Sequence, residues 1–324
     1  MEPTIGRRCF LQGTATAASG LVAGIGFEEQ ILLSHLGQNP TPGQESNPFA
    51  MPMPKGKIKD VEVSRVICGG NLIGGWAHSR DLMYVSRLFK AYNTDEKILE
   101  TLHLCQEYGV NSILTNPVSG DIIKRFWKEG GKIQWISEVH PSPQDYKTTV
   151  NNAVDNGASL AYVQGGVADR LVADGQVELL AKTVEYIKER GIPGGIGGHS
   201  LDVVVACEEA GVNADFYVKT LHSGDYWSAR RPDQTEEVIR NPHDNFWSVN
   251  PEKTIAYMKA IEKPWIAFKV LAAGAIHPQH GFKYAFENGA DIICVGMFDF
   301  QVAEDVDIAI NILSELKRER QWYA

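Results

Sequence analysis

A chain of 324 residues, 44% of them apolar and 22% charged, can bury a full core as one large domain or two small ones. Its net charge of −9, a pI near 5.5 and the lack of any basic stripe interleaved with aromatics argue against nucleic acid and anionic membrane as partners. A small soluble substrate suits such a surface.

The first element is an address. Gly6-Arg7-Arg8-Cys9-Phe10-Leu11-Gln12 matches the twin-arginine pattern, and small, mildly apolar residues follow from Gly13 to Phe27. That stretch is too short and too rich in Gly, Ala and Thr for a stable membrane span. Residues 1–37 are therefore expected to engage the twin-arginine export machinery and deliver a folded protein to the periplasm, either released or held there by its N-terminus. Residues 38–56, rich in Pro, Gly, Asn and Ser, read as a linker, and residues 57–324 as the folded domain. Cys68, Cys105, Cys207 and Cys294 stand singly in apolar or helical stretches, without the spacing of a zinc site or a disulfide framework, and read as buried free thiols.

From Val63 onward, β-branched runs alternate with helix-period segments, each switch marked by Gly, Asn, Asp or Pro. Strands are expected at 63–69, 112–116, 133–139, 159–164, 193–198, 216–221, 265–271 and 291–295. Helices between them include 94–108, 146–156, 177–189, 201–210, 251–262, 281–288 and 303–317. Eight strand–helix units in some 250 residues are the count and size of a closed (β/α)8 TIM barrel, an α/β fold whose chemistry sits where strands run out into loops. The polar residues arriving there are Asn71, Asn116, Glu138, His140, Gln164, His199, Lys219, His222 and Lys269. The long connection 223–249, with Asp225, Trp227, Asp244 and Trp247, is expected to cover that mouth, and the insertion 76–90 to close its other side. His78, His243, His277 and His280 are expected to be solvated.

Several segments resemble the aldo-keto reductase superfamily in order and spacing: Val63-Ser64-Arg65 with Gly69-Gly70, Gly109 to Thr115, Gly195 to Ser200, Ile266 to Leu271, and Phe282 to Phe286 with Val295-Gly296-Met297. The resemblance covers about residues 60–315 and implies the barrel. It implies less of the chemistry, because the family's catalytic Asp, Tyr, Lys and His fall on Leu114, Ser119, Glu138 and Gln164. The pair that grips nicotinamide falls near Gly197-Gly198, and Asp299 stands where a nucleotide phosphate would want a cation. NADP is not favoured.

Glu138, His140, His199 and His222 are a workable ligand set for a divalent metal such as Zn, Mn, Fe or Ni with an open position. The same groups could instead serve, metal-free, as general base and acid, or simply cap strands and loops. Lys219 and Lys269 each interrupt an apolar run, where a charge must find a partner or lose its proton. Lys219 reads either as a Schiff-base amine, as in class I aldolases, or as the ion-pair partner of Glu138. Trp76, Trp227 and Trp247 suit a sugar ring, with Asn71, Asn116, Gln164, Trp227 and Asp225 as substrate-binding candidates. The expectation is an exported barrel enzyme, a lyase, isomerase or hydrolase using Glu138, His199, His222, Lys219 and Lys269 on a small polar, sugar-derived substrate. An NAD(P)-dependent reductase, a Schiff-base aldolase and a non-catalytic ligand-binding barrel are the alternatives.

Overall fold

The computed structural model describes residues 52–76, 78–79, 82–234 and 247–324. The twin-arginine segment, the linker up to residue 51, His243 and Asp244 lie outside the described residues.

The chain enters through an antiparallel hairpin, β1 (Lys55–Ile58) and β2 (Val61–Ser64), which begins inside the segment expected to be linker. Lys59 takes φ 53° in its tight turn. One strand was expected from Val63 to Gly69, but the run is split at Arg65. Ser64 pairs back to Lys55, whereas Val66 pairs forward to Ile293 in the barrel. Arg65 makes the switch by donating to the carbonyls of Asp291 and Ala324 while its guanidinium lies 3.9 Å from the Trp322 ring.

The barrel strands are β3 (Val66–Gly69), β4 (Ser112–Thr115), β5 (Gln134–Val139), β6 (Leu160–Val163), β7 (Gly194–Gly198), β8 (Phe216–Thr220), β9 (Trp265–Phe268) and β10 (Ile292–Val295). They are parallel, pair in chain order, and close through β10 onto β3. The expected (β/α)8 TIM barrel is thus the fold, an α/β architecture with helices outside. The helices are α1 (Val85–Tyr92), α2 (Asp95–Glu107), α3 (Gly120–Lys128), α4 (Thr148–Asp155), α5 (Gly165–Ala173), α6 (Val177–Glu189), α7 (Leu201–Glu209), α8 (Pro251–Met258), α9 (Pro278–Glu287) and α10 (Val302–Glu315). Of these, α1, α3 and α5 were not anticipated. The seventh strand ends at Phe268, short of its expected end at 271, because Lys269 turns the chain at φ 59°.

Inside the barrel, Ile67, Leu114, Ile136, Leu160, Tyr162, Phe216, Val218, Ile266, Ile292 and Cys294 form one buried cluster with Ile58 and Val63 of the hairpin below. Strand parity therefore aims Asn116, Glu138 and Gln164, each two residues beyond a lumen residue, at the mouth. The glycines of β7 make room for this packing. A Cβ on Gly195 would stand 2.5 Å from the Phe216 ring, and one on Gly197 3.0 Å from that of Tyr162. All four described cysteines are buried and free, as expected.

The opposite end is closed by the C-terminal tail. Asp291, fully buried, accepts from Arg320 at 2.7 Å, from the backbone N–H of Trp265 at 2.9 Å and from that of Tyr323 at 3.1 Å. Arg320 also donates to the carbonyls of Met258, Ile261, Lys263 and Gly289. Arg320→Ala takes from the buried Asp291 its closest cationic partner and leaves the carbonyls of Met258, Ile261 and Lys263 without this donor, so a loss of roughly 3–5 kcal/mol is expected in urea unfolding. A change below about 1 kcal/mol would mean the tail does not close the barrel.

Candidate functional site

Two polar clusters occupy the mouth. The first is built on Glu138, whose Oε2 accepts from Asn116 Nδ2 at 3.1 Å and whose Oε1 accepts from the Tyr162 hydroxyl at 3.2 Å. Burial, and then the Glu138 charge, push the Tyr162 phenol well above its ordinary pKa, so it stays a neutral donor. His140 Nε2 lies 3.4 Å from the same carboxylate, but its side chain is 38% exposed. Asn116 also accepts from the Val118 N–H, which fixes its amide.

The second is built on His199. Its Nδ1 donates to Asp169 Oδ2 at 2.7 Å, while Asp169 Oδ1 takes the backbone N–H groups of His199 and Ser200 at 3.1 and 3.0 Å. Asp169 comes from α5 and is buried. It orients the ring and assigns the proton to Nδ1, leaving Nε2 with no hydrogen-bond partner among the described residues. The ring centroid sits 4.5 Å from that of Trp247 and 5.3 Å from that of Phe268. Burial lowers the His199 pKa below 6.5; Asp169 opposes this, and Lys269 and Lys219 add to it. A neutral, oriented imidazole with an open nitrogen is the result. Gly165 starts α5 because a Cβ there would stand 3.1 Å from His199 Cε1.

Lys269 joins the site from its left-handed turn. Its ammonium lies 4.5 Å from the Trp247 ring centroid and 2.7 Å from His78 Nε2, which also meets Asn71. His78, expected to be solvated, is therefore a half-buried member of the mouth, and Asn71 is exposed above it.

Other expected members do not converge. Lys219 alternates with the lumen residues Phe216 and Val218, so it stands on the outer face of β8, fully buried. Its Nζ donates to the carbonyls of His199 at 2.8 Å and Thr220 at 3.0 Å. It forms no hydrogen bond with Glu138, and burial brings its pKa down to about 8. His222 spends both ring nitrogens on the loop: Nδ1 donates to the Ser223 carbonyl at 2.8 Å, and Nε2 accepts from the Ser248 N–H at 3.0 Å. Gln164 caps α5 through the Val167 N–H, and Asp225 and Trp227 are exposed on the loop after β8. Among the described residues no group of three or more His, Cys, Asp or Glu side chains could hold a metal ion, so Glu138, His140, His199 and His222 are not gathered as one ligand set. A cavity of about 470 Å³ is lined by Ile73, Ile98, Val118, Asp121 and Arg125 and includes none of Glu138, His199 and Lys269.

Asp169 and Tyr162 were missed in the sequence. Asp169 is the one acid of its helix and is followed by Arg170, which reads as an ordinary charged pair, and Tyr162 reads as core; only a polar residue two positions beyond it, Gln164, hinted at the mouth.

No protein-family model matches the chain, and no curated protein matches it. Among solved structures, a Pseudomonas aeruginosa protein provisionally classed as an aldo-keto reductase superposes with TM-score 0.56 at 17% identity, over 80% of this chain and 94% of its own. A second structure of that description gives 0.53 at 15% identity, over 80% and 95%. A truncated 3-deoxy-D-arabino-heptulosonate 7-phosphate synthase from Thermotoga maritima gives 0.49 at 13%, over 83% and 96%. The likeness to the first two shows the TIM-barrel fold alone.

Desolvation pushes the His222 pKa down to about 4. The unfolded chain protonates it from about pH 6.5 downward while the folded chain does not, so its contribution is intact above 6.5 and is lost as pH falls toward 4. That is on the order of 3 kcal/mol, and His222→Gln is expected to flatten the acid limb of the stability–pH curve measured by urea unfolding. An unchanged acid limb would show that the ring is charged in the folded state.

Proposed function

We propose that the chain is a barrel enzyme performing metal-free general acid–base chemistry on a small hydroxylated carbonyl compound, with Glu138 and His199 as the proton-transferring pair. The observation that carries this reading is the Asp169–His199 contact of 2.7 Å, which leaves a neutral imidazole nitrogen open in a mouth that also holds a carboxylate. Glu138, held by Asn116 and Tyr162, is placed to take or return a proton. Lys269 supplies positive charge beside Trp247, which suits an enolate, a carboxylate or a ring hydroxyl. Isomerisation or elimination next to a carbonyl uses this set without a redox partner. Lys219, behind the barrel wall, does not support a Schiff base, and neither cluster supports nicotinamide chemistry. The Arg7-Arg8 segment supports action in the periplasm after export in the folded state.

The test is deuterium incorporation next to the carbonyl of aldoses, ketoses and sugar acids incubated in D2O. Glu138→Gln and His199→Asn are each expected to slow exchange by roughly 10²–10⁴-fold, and the wild-type rate to rise with pH through a group titrating below 6.5. Exchange unaffected by both substitutions sinks the assignment. Borohydride trapping of substrate on Lys219 would restore the aldolase reading.

A further inference from the structure

Removing a proton next to a carbonyl puts negative charge on the carbonyl oxygen, and that charge needs donors fixed in advance. The Tyr162 hydroxyl is spent on Glu138, and the Nδ1 proton of His199 on Asp169. The start of α5 holds two donors that are not spent. Only Gln164 separates α5 from β6, so the helix begins at the mouth. Gln164 takes the Val167 N–H with its side chain and the Ala168 N–H with its carbonyl. The N–H groups of Gly165 and Gly166 have no hydrogen-bond partner among the described residues, and the first turn carries no acid.

Two buried side chains point to what these amides meet. The ring of His199, 8% exposed, lies against the helix start: the Cβ position of Gly165 is 3.1 Å from Cε1, the ring atom bonded to the open Nε2. Gly198 pairs with Lys219, so His199 stands level with Thr220 on the next strand. Strand parity turns Thr220, two residues beyond the lumen residue Val218, toward the same mouth, and its hydroxyl is buried without a partner. Gly197 keeps the amide uncovered, because a Cβ there would stand 2.8 Å from the Gly165 nitrogen. A proton acceptor, two amide donors and an unsatisfied hydroxyl therefore gather where β6, β7 and β8 end.

We propose that the N–H groups of Gly165 and Gly166 are the oxyanion hole of this site, and that the carbonyl oxygen of a hydroxylated aldehyde or ketone docks at the start of α5. The proposal rests on the acid–base reading above. The C–H bond beside the carbonyl breaks and its proton passes to His199 Nε2. Its electron pair forms the C=C bond of the enolate, and the carbonyl π pair moves onto oxygen, where the two amides and the helix dipole receive it. Return of a proton or deuteron from Nε2 reverses the step.

The experiment compares Gly166→Pro with Gly166→Ala. Both add a carbon, which comes no nearer than 3.3 Å to Gln164, but only proline removes the N–H, at a first-turn position that tolerates it. Gly166→Pro is expected to slow deuterium exchange about 10²–10³-fold with KM little changed, and Gly166→Ala to stay within about threefold of wild type. Circular dichroism checks that both fold. Glycolohydroxamate, a planar mimic of a hydroxylated enolate, is expected to bind the wild type and Gly166→Ala and to lose at least about tenfold in affinity in Gly166→Pro, read by calorimetry without turnover. In the wild type, with no substitution, 15N-glycine spectra are expected to show the Gly165 and Gly166 amide protons moving downfield as the hydroxamate is added. Exchange slowed by Glu138→Gln and His199→Asn, with Gly166→Pro behaving as Gly166→Ala, overturns the oxyanion hole and leaves the acid–base pair standing. Hydroxamate affinity that depends on the Gly166 N–H, with exchange indifferent to Glu138 and His199, supports the hole and sinks the pair. No hydroxamate binding by the wild type, or binding that leaves both amide protons unmoved, overturns the proposal.

Discussion

Closure of the sheet into a barrel imposes a parity on every strand, and the site depends on it. Each residue faces either the lumen or the helix layer, and a step of one exchanges the two. On β5 the parity that buries Ile136 in the lumen carries Glu138 to the mouth; on β8 the parity that buries Phe216 and Val218 sends Lys219 behind the wall. Two side chains that both break apolar runs thereby receive opposite fates. One stands at the mouth between Asn116 and Tyr162, and the other becomes a buried ammonium under the His199 carbonyl.

Desolvation then sorts the basic groups. His199 and His222 are both buried, and burial lowers the pKa of each. They differ in what their nitrogens meet. His222 is saturated by Ser223 and Ser248 and serves as a clasp between the two ends of the loop after β8, while Asp169 takes only one nitrogen of His199. Lys269 lies on the ring face of Trp247, so the tryptophan that was expected to stack a sugar is also the floor for a cation. Trp247 touches His199, His78 and Lys269, which makes it the packing centre of the mouth.

The two ends of the barrel divide the work. The N-terminal end is sealed by the hairpin and by a dense set of arginine contacts around Asp291, where Trp322 is sandwiched between the guanidinium groups of Arg65 and Arg318 at 3.9 and 3.8 Å. Such a closure spends its polar groups on one another. The C-terminal end instead keeps a carboxylate, an imidazole with one nitrogen not hydrogen-bonded and an ammonium.

The sequence by itself determined the barrel. Eight β-branched runs alternating with helix-period segments leave little else to build, and the position of Glu138 at the end of such a run was legible for the same reason. Partners were not. Asp169 reaches His199 across 30 residues, and Lys269 reaches His78 across 191, so no local pattern announces either contact. Nor could inner and outer faces be told apart on β8, whose residues Phe216 to Thr220 are all buried. A parallel sheet covered on both faces erases the polar–apolar alternation that would reveal parity, so only the tertiary packing decided that Lys219 leaves the site and His199 stays.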